Sequence, residues 1–221
     1  MNGSTDAKEL AKKKVRIWIP NTTKEFLDKR NLDYEIGDIG PMYGFQWKHY
    51  GAEYKGKDYD YTDKGINQID KCLEILRNDP NNRRILMTTY NPSQVEQGVL
   101  CPCHGLITQF YVENNYLSCH MYQRSSDTFL GLPFNISSYS LLTYIFAKEL
   151  NMKPGKLYIS LGDTHIYNTH INQVKKQLKR IPFQFPKLII NKQQNIYSYK
   201  YQDFNLQNYE CYNTLKAKMV A

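Results

Sequence analysis

The chain has 221 residues, 41% hydrophobic and 14% aromatic, which is enough apolar chain to bury a sizeable core and excludes disorder. No apolar run approaches the ~18 residues that a membrane-spanning helix needs, and the opening MNGSTDAKELAKKK lacks the apolar stretch of a secretory signal, so a soluble single domain is expected. The net charge of +8 favours anionic partners such as phosphorylated metabolites, nucleic acid or an acidic cofactor, while Lys12-Lys13-Lys14 and Lys175-Lys176 read as solvated faces.

In chain order, residues 6–14 read as a short helix, and Thr22 or Thr23 caps a second through KEFLDKR. Residues 63–78 form a helix on the stripe Ile66, Ile69, Cys72, Leu73 and Leu76, stopped by Pro80. Residues 84–89 have strand composition. Residues 105–113 and 116–124 pair across Glu113-Asn114-Asn115; in the second strand Leu117, Cys119, Met121 and Gln123 alternate with Ser118, His120, Tyr122 and Arg124. A long helix follows Pro133 to about Leu150 on Tyr139, Leu142, Tyr144, Ile145 and Leu150. A strand at 156–161, a helix at 168–179 and strands near 187–190 and 197–204 complete the chain. Helices and strands interleave without strict alternation, which predicts an α/β (α+β) class, one large mixed sheet flanked by helices, and no internal domain boundary.

Five cysteines (Cys72, Cys101, Cys103, Cys119, Cys211) are an odd number without scaffold density, which fits a reducing, cytoplasmic setting. Cys101-Pro102-Cys103-His104 has metal-ligand residue types, but zinc sites carry a C-x2-C hook and a second hook downstream, so no metal is expected. A thiol beside His104 and one hairpin from Arg124 instead suits a thiolate nucleophile. Gln123-Arg124-Ser125-Ser126-Asp127 ends a strand, and a guanidinium beside a hydroxyl suits an oxyanion or phosphate. Arg83-Arg84 adds a second guanidinium pair; neighbours on a strand face opposite ways, so both reach one anion only at an irregular strand start or across an interface. His165 and Tyr167 share one face of an extended stretch.

Together Cys103-His104, Gln123-Arg124-Ser125 through Asp127, Leu130-Gly131-x-Pro133-Phe134-Asn135-Ile136 and Gly162-Asp163-x-His165-Ile166-Tyr167 resemble the thymidylate synthase family. So do Gly40-Pro41-x-Tyr43-Gly44-x-Gln46-Trp47, Arg83-Arg84 and the terminal Lys216-Ala217-Lys218-Met219-Val220-Ala221, and the match runs from Gly3 to the last residue. The resemblance implies reductive methylation of dUMP to dTMP, with 5,10-methylenetetrahydrofolate giving carbon and hydride. It implies that Cys103 adds to C6 of uracil, that Arg124 favours the thiolate and binds phosphate with Ser125, and that Arg83 and Arg84 reach the site of the opposite subunit of a homodimer formed on a sheet face. Asn135 would read N3 and O4, His165 and Tyr167 the ribose hydroxyl, and Tyr43 with ordered water would move the C5 proton. His104, Gln123 and Ser126 join the nucleotide side. Asp127 would lie between nucleotide and pterin, and Trp18, Asn21, Leu130, Gly131, Phe134, Met219 and Val220 would form the folate wall and closing tail.

Departures from the family pattern are Cys101, Thr169 where asparagine is usual, and Ile19-Pro20 after Trp18 where an acidic residue is common. The match enters mid-fold, and no residue takes the roles of a phosphate arginine and a water-ordering glutamate found in the family's N-terminal segment. The 221-residue chain alone is therefore expected to be poorly active, as a fragment, a truncated product or the synthase part of a fused reductase–synthase. Two alternatives stay open: a pyrimidine hydroxymethylase of the same superfamily, and a non-catalytic nucleotide- or RNA-binding dimer, weak RNA binding being compatible with the positive charge.

Overall fold

Three helices begin where a short polar side chain can take an unpaired backbone N–H. Asp6 accepts from Lys8 N at 2.8 Å before α1 (Ala7–Lys12), Thr23 from Phe26 N at 3.3 Å before α2 (Lys24–Lys29), and Asn67 from Asp70 N at 3.2 Å before α4 (Gln68–Asn78), with α3 (Gly44–His49) between. The computed structural model describes residues 2–220; Ala221, the end of the C-terminal motif, lies outside them. The chain forms two compact units divided after Phe110.

In the first unit Ala7, Leu27, Ile39, Met42 and Val99 form one buried cluster, with Trp18 and Tyr43 packed against it, and Phe45, Ala52 and Tyr61 form another. Strand β1 (Leu86–Met87) pairs antiparallel with β2 (Ile107–Glu113), Leu86 opposite Gln109. The expected strand over 84–89 shrinks to two residues because Gln68 captures the next peptide: its Nε2 donates to Thr88 O at 2.8 Å and its Oε1 accepts from Thr88 N at 2.9 Å. The helix expected from residue 63 starts only at Gln68. Asp63 and Gly65 have φ of +57° and +69°, and Ile66 pairs with Tyr50 as an isolated bridge, so it stays outside the apolar stripe.

The second unit is built on β3 (Tyr116–Asp127), α5 (Gly131–Glu149) and β4 (Lys153–His165), a parallel strand pair joined by a helical crossover. Asn114 and Asn115, both with positive φ, make the tight turn from β2 into β3. Leu117, Cys119, Met121 and Gln123 are buried and Tyr122 is exposed, as the alternation requires. On α5 the buried residues are Asn135, Tyr139, Leu142, Thr143, Ile145, Phe146 and Ala147, whereas Tyr144 faces out. Each fully buried large side chain contributes about 1.5–3 kcal/mol. The helix starts two residues before Pro133, which is tolerated in the first turn because its missing N–H has no partner there.

The segment expected to be one helix over 168–179 is a 3-10 turn (Asn168–His170) running into α6 (Ile171–Gln177). β5 (Lys187–Ile190) pairs antiparallel with β6 (Phe204–Gln207) as a separate two-stranded sheet. The strand expected over 197–204 is displaced by local side-chain bonds: Asn195 accepts from Tyr197 N at 2.9 Å, and Asp203 from Lys200 N at 2.7 Å, closing a 3-10 turn. The main sheet runs β1-β2-β3-β4 with antiparallel and parallel pairs, flanked by helices, as the α/β reading expected. Among the described residues no helix is long and apolar enough to cross a membrane.

Candidate active site

The first unit gathers Trp18, Tyr43, Cys103 and His104. Tyr43 sits after a turn at Gly40 (φ +73°), where a Cβ would stand 2.3 Å from Gln97 O, so only glycine fits. Tyr43 itself has φ +41° and ψ −98°, a rare conformation for a bulky residue, costing about 1–3 kcal/mol. Burial of neighbouring Phe45 and the bond from Trp47 N to Tyr43 O at 3.0 Å hold it there. The strain aims the phenol at the cysteine: Tyr43 Oη accepts from Cys103 N at 3.2 Å and lies 3.5 Å from Cys103 Sγ, a contact in which either atom can donate.

His104 stacks on Tyr43 at 4.5 Å between ring centres, while Thr89 Oγ1 donates to His104 O at 3.0 Å. Trp18 tilts against Tyr43 at 5.9 Å. Asn21 is 2% exposed, and its Nδ2 finds no hydrogen-bond acceptor. Cys103 is half-buried and Cys101 exposed. Burial pushes the Cys72 and Cys119 thiols up to about 12, so both are protonated and unreactive at neutral pH. Among the described residues no three His, Cys, Asp or Glu side chains are grouped to hold a metal ion.

Burial lowers His104 to about 4, so the ring on Tyr43 is a neutral imidazole at pH 7. Because the folded value lies below the unfolded one, the unfolded chain takes up the extra proton between about pH 6.5 and 4. Stability is therefore expected to fall with pH across that window by up to ~1.4 kcal/mol per pH unit from this group. Urea melts of the unmutated chain and His104→Gln over pH 4–7 check this. An equally steep loss in both would remove His104 as the cause.

The second unit gathers the polar end of β3 and the start of α5. Gln123, 1% exposed, donates through Nε2 to Asn135 Oδ1 at 3.0 Å and to Ser125 O at 3.1 Å. Asp127 Oδ1 accepts from Phe129 N at 3.1 Å and Leu130 N at 3.2 Å, tying the strand end to the turn that opens α5. A Cβ on Gly131 would lie 3.5 Å from Asp127 Cβ and 3.8 Å from Asn135 Oδ1, so the Leu130-Gly131 turn, Asp127 and Asn135 share one small region. Arg124 and Ser125 are half-buried; Ser126 is fully buried, and its Oγ has no hydrogen-bond partner. Gly162 is needed beside Arg124, since a Cβ there would stand 2.5 Å from Arg124 O. Asp127 pairs with His165 across β3 and β4, and His165 meets Tyr167 edge-on at 5.0 Å. Phe134 is 73% exposed, and Met219 and Val220 are exposed.

Arg83 and Arg84 are exposed on the bend before β1, outside regular strand, so the alternation that would send them to opposite faces does not apply. Two residues went unread in the sequence. Asp163 Oδ1 lies 3.0 Å from His165 Nδ1, which orients the imidazole; the two-residue spacing on one strand face was the available signal. His170 is fully buried and bonded to the C-terminal segment, a contact between residues 48 apart that no local pattern announces.

A sequence profile described as "Thymidylate synthase" matches residues 1–221. A bifunctional dihydrofolate reductase-thymidylate synthase of Paramecium tetraurelia is 45% identical over 220 residues, covering 99% of this chain and 47% of that protein. The thymidylate synthase of Homo sapiens is 46% identical over 221 residues, covering 99% of this chain and 70% of that protein, and that of Human herpesvirus 8 is 44% identical, covering 99% and 65%. The chain spans about half or less of the length of the bifunctional relatives and about two thirds of the others. Since the profile matches all 221 residues of this chain, the chain belongs to the thymidylate synthase family.

Proposed function

We propose that the chain carries the chemistry that makes dTMP from dUMP, with 5,10-methylenetetrahydrofolate supplying the carbon and the hydride. The observation that carries this reading is the half-buried Cys103, held through both its N–H and its sulfur by Tyr43 Oη. In the proposed sequence the Cys103 thiolate adds to C6 of uracil, and C5 becomes an enolate carbon that attacks the folate methylene. Tyr43 and water take the C5 proton. Loss of that proton breaks the bond from the methylene to the folate nitrogen, so tetrahydrofolate leaves and C5 carries an exocyclic methylene. Hydride from the tetrahydrofolate to that methylene, with expulsion of the Cys103 thiolate, then gives dTMP and dihydrofolate.

Arg124 and Ser125 bind the phosphate, with Arg83 and Arg84 of a second copy. His104, Gln123, Ser126 and Asp127 complete the nucleotide side, Asn135 reads the base, and His165 and Tyr167 hold the ribose. Trp18, Asn21, Leu130, Gly131, Phe134, Met219 and Val220 face the folate. The unpartnered Asn21 donor and the exposed Phe134 ring support that assignment. A homodimer through the sheet is supported by Tyr122 and Tyr158, both exposed on the face of β3 and β4 that also carries the His120–Ser160 pair. A reducing compartment is supported by five free cysteines.

Incubation with 5-fluoro-dUMP and methylenetetrahydrofolate, followed by peptide mass spectrometry, tests the reading. A ternary adduct on Cys103 is expected, because fluorine at C5 cannot leave as a cation. An adduct on another cysteine, or none at saturating ligand, counts against it.

A further inference from the structure

The end of the chain from Tyr209 to Val220 forms no helix or strand, yet side chains of one neighbouring segment grip its backbone. His170 Nε2 donates to Lys218 O at 2.8 Å, Gln173 Nε2 to Lys216 O at 3.1 Å, and Arg180 Nη2 to Asn213 O at 2.7 Å. The donors rise in number as the acceptors fall, so the two segments run antiparallel and each of these grips is on a main-chain carbonyl. Arg180 also lies over the Tyr212 ring at 5.0 Å, and Tyr212 Oη donates to Ile181 O at 3.1 Å.

His170 differs from the other two donors. It is fully buried, with Phe129 and Tyr167 against its ring. Its second nitrogen, Nδ1, has no hydrogen-bond partner and stands 3.9 Å from Asp127 Oδ1. That same oxygen receives the N–H groups of Phe129 and Leu130 at the entry to α5. One imidazole thus holds the tail by one edge and faces the Asp127 turn with the other.

We propose that His170 is a positioning residue that latches the C-terminal tail, its Nε2–H gripping the Lys218 carbonyl so that Met219 and Val220 are held at the Asp127 end of this unit. Gln173 and Arg180 are the outer grips of the same latch. A grip on carbonyls restrains the path of the tail and leaves the Met219 and Val220 side chains free to meet a ligand. The kinetic consequence rests on the folate-side role proposed above for those two residues; the latch itself does not.

The tail carries its own reporter, since trypsin cleaves after Lys216 and Lys218. Native-state cleavage tracks the open population, so loss of one buried hydrogen bond should raise it by about tenfold. His170→Phe keeps an aromatic ring and removes the donor. His170→Gln returns an N–H near the Nε2 position. Tail cleavage is expected to rise about tenfold in His170→Phe and to return to within about twofold of the unmutated rate in His170→Gln. A purely packing role predicts no rescue by glutamine, and that result overturns the proposal, as does an unchanged rate in His170→Phe. If His170→Phe unfolds, cleavage spreads along the chain; Gln173→Ala, at the half-buried rim, then carries the test. About threefold faster cleavage after Lys216 is expected there, and no change overturns the latch. In turnover assays the latch variants should raise KM for methylenetetrahydrofolate and leave KM for dUMP unchanged. Faster tail cleavage with an unchanged folate KM keeps the latch and overturns the folate-side reading.

Discussion

Cys103→Ala is expected to lower turnover by about 10⁴-fold or more while dUMP still binds. C5 of uracil is too weak a nucleophile to attack the folate methylene until a group adds at C6, so removing the sulfur removes the step that activates the ring. The proposed phosphate, ribose and base contacts do not involve the sulfur, so dUMP affinity should stay within a few-fold. The comparison variant is Cys101→Ala. Cys101 is exposed and two residues away, with its sulfur 3.8 Å from Pro102 O. Its loss should leave most activity and slow inactivation in air, since an exposed thiol near a reactive one is an oxidation partner. Single-turnover assays with isothermal titration of dUMP separate the two effects. A dead Cys101→Ala beside an active Cys103→Ala would reverse the assignment, and equal, unmeasurable turnover in every variant, including the unmutated chain, would favour a binding-only protein.

Asn135→Asp is expected to shift the base preference from uracil toward cytosine. A carboxamide can accept from uracil N3–H and donate to O4 in one plane, but a free amide could flip and serve cytosine as well. Here Gln123 Nε2 donates to Asn135 Oδ1 at 3.0 Å, so the oxygen end of the amide is assigned, with a second lone pair left for N3–H and the NH₂ left for O4. A protonated aspartic acid would instead match cytosine, donating to N3 and accepting from the amine. Each mispaired buried polar group costs about 1–3 kcal/mol, so two mispairings predict a loss in kcat/KM for dUMP of roughly 30- to 10⁴-fold, with dCMP use rising. Gln123→Met should act through the same bond by narrowing the dUMP/dCMP ratio without reversing it. Both ratios are read within one chain, so a low absolute rate cancels. Equal use of dUMP and dCMP by the unmutated protein would remove Asn135 as the discriminator. An amide at this position also favours the synthase reading over a hydroxymethylase acting on dCMP, for which aspartate is the matching residue.

Local pattern carried much of the fold. The cap at Thr23 is a side chain bonding a backbone N–H three residues on, and such a contact needs no tertiary partner. The alternation Leu117, Cys119, Met121, Gln123 announced the buried face of β3 because strand geometry sends every second side chain the same way. The same logic failed where distant or competing groups took the backbone. Gln68 ended β1 at Thr88, and Asn195 and Asp203 replaced a strand over 197–204 with turns.

The residue types of the candidate site were legible in the same way: a thiol beside a histidine, Arg-Ser at a strand end, and His and Tyr two apart where β4 ends. Their working geometry was not. The positive φ of Tyr43 aims its phenol at Cys103, 60 residues away, and this conformation persists because the packing of Phe45 and the α3 bonds offset its strain. The orientation of the Asn135 amide depends on Gln123, and the place of the tail depends on His170 holding Lys218. Chemistry belongs to side-chain identity and is written residue by residue. Which lone pair faces which proton is settled only when chain folding closes loops of 12 to 60 residues and burial makes an unpaired polar atom costly.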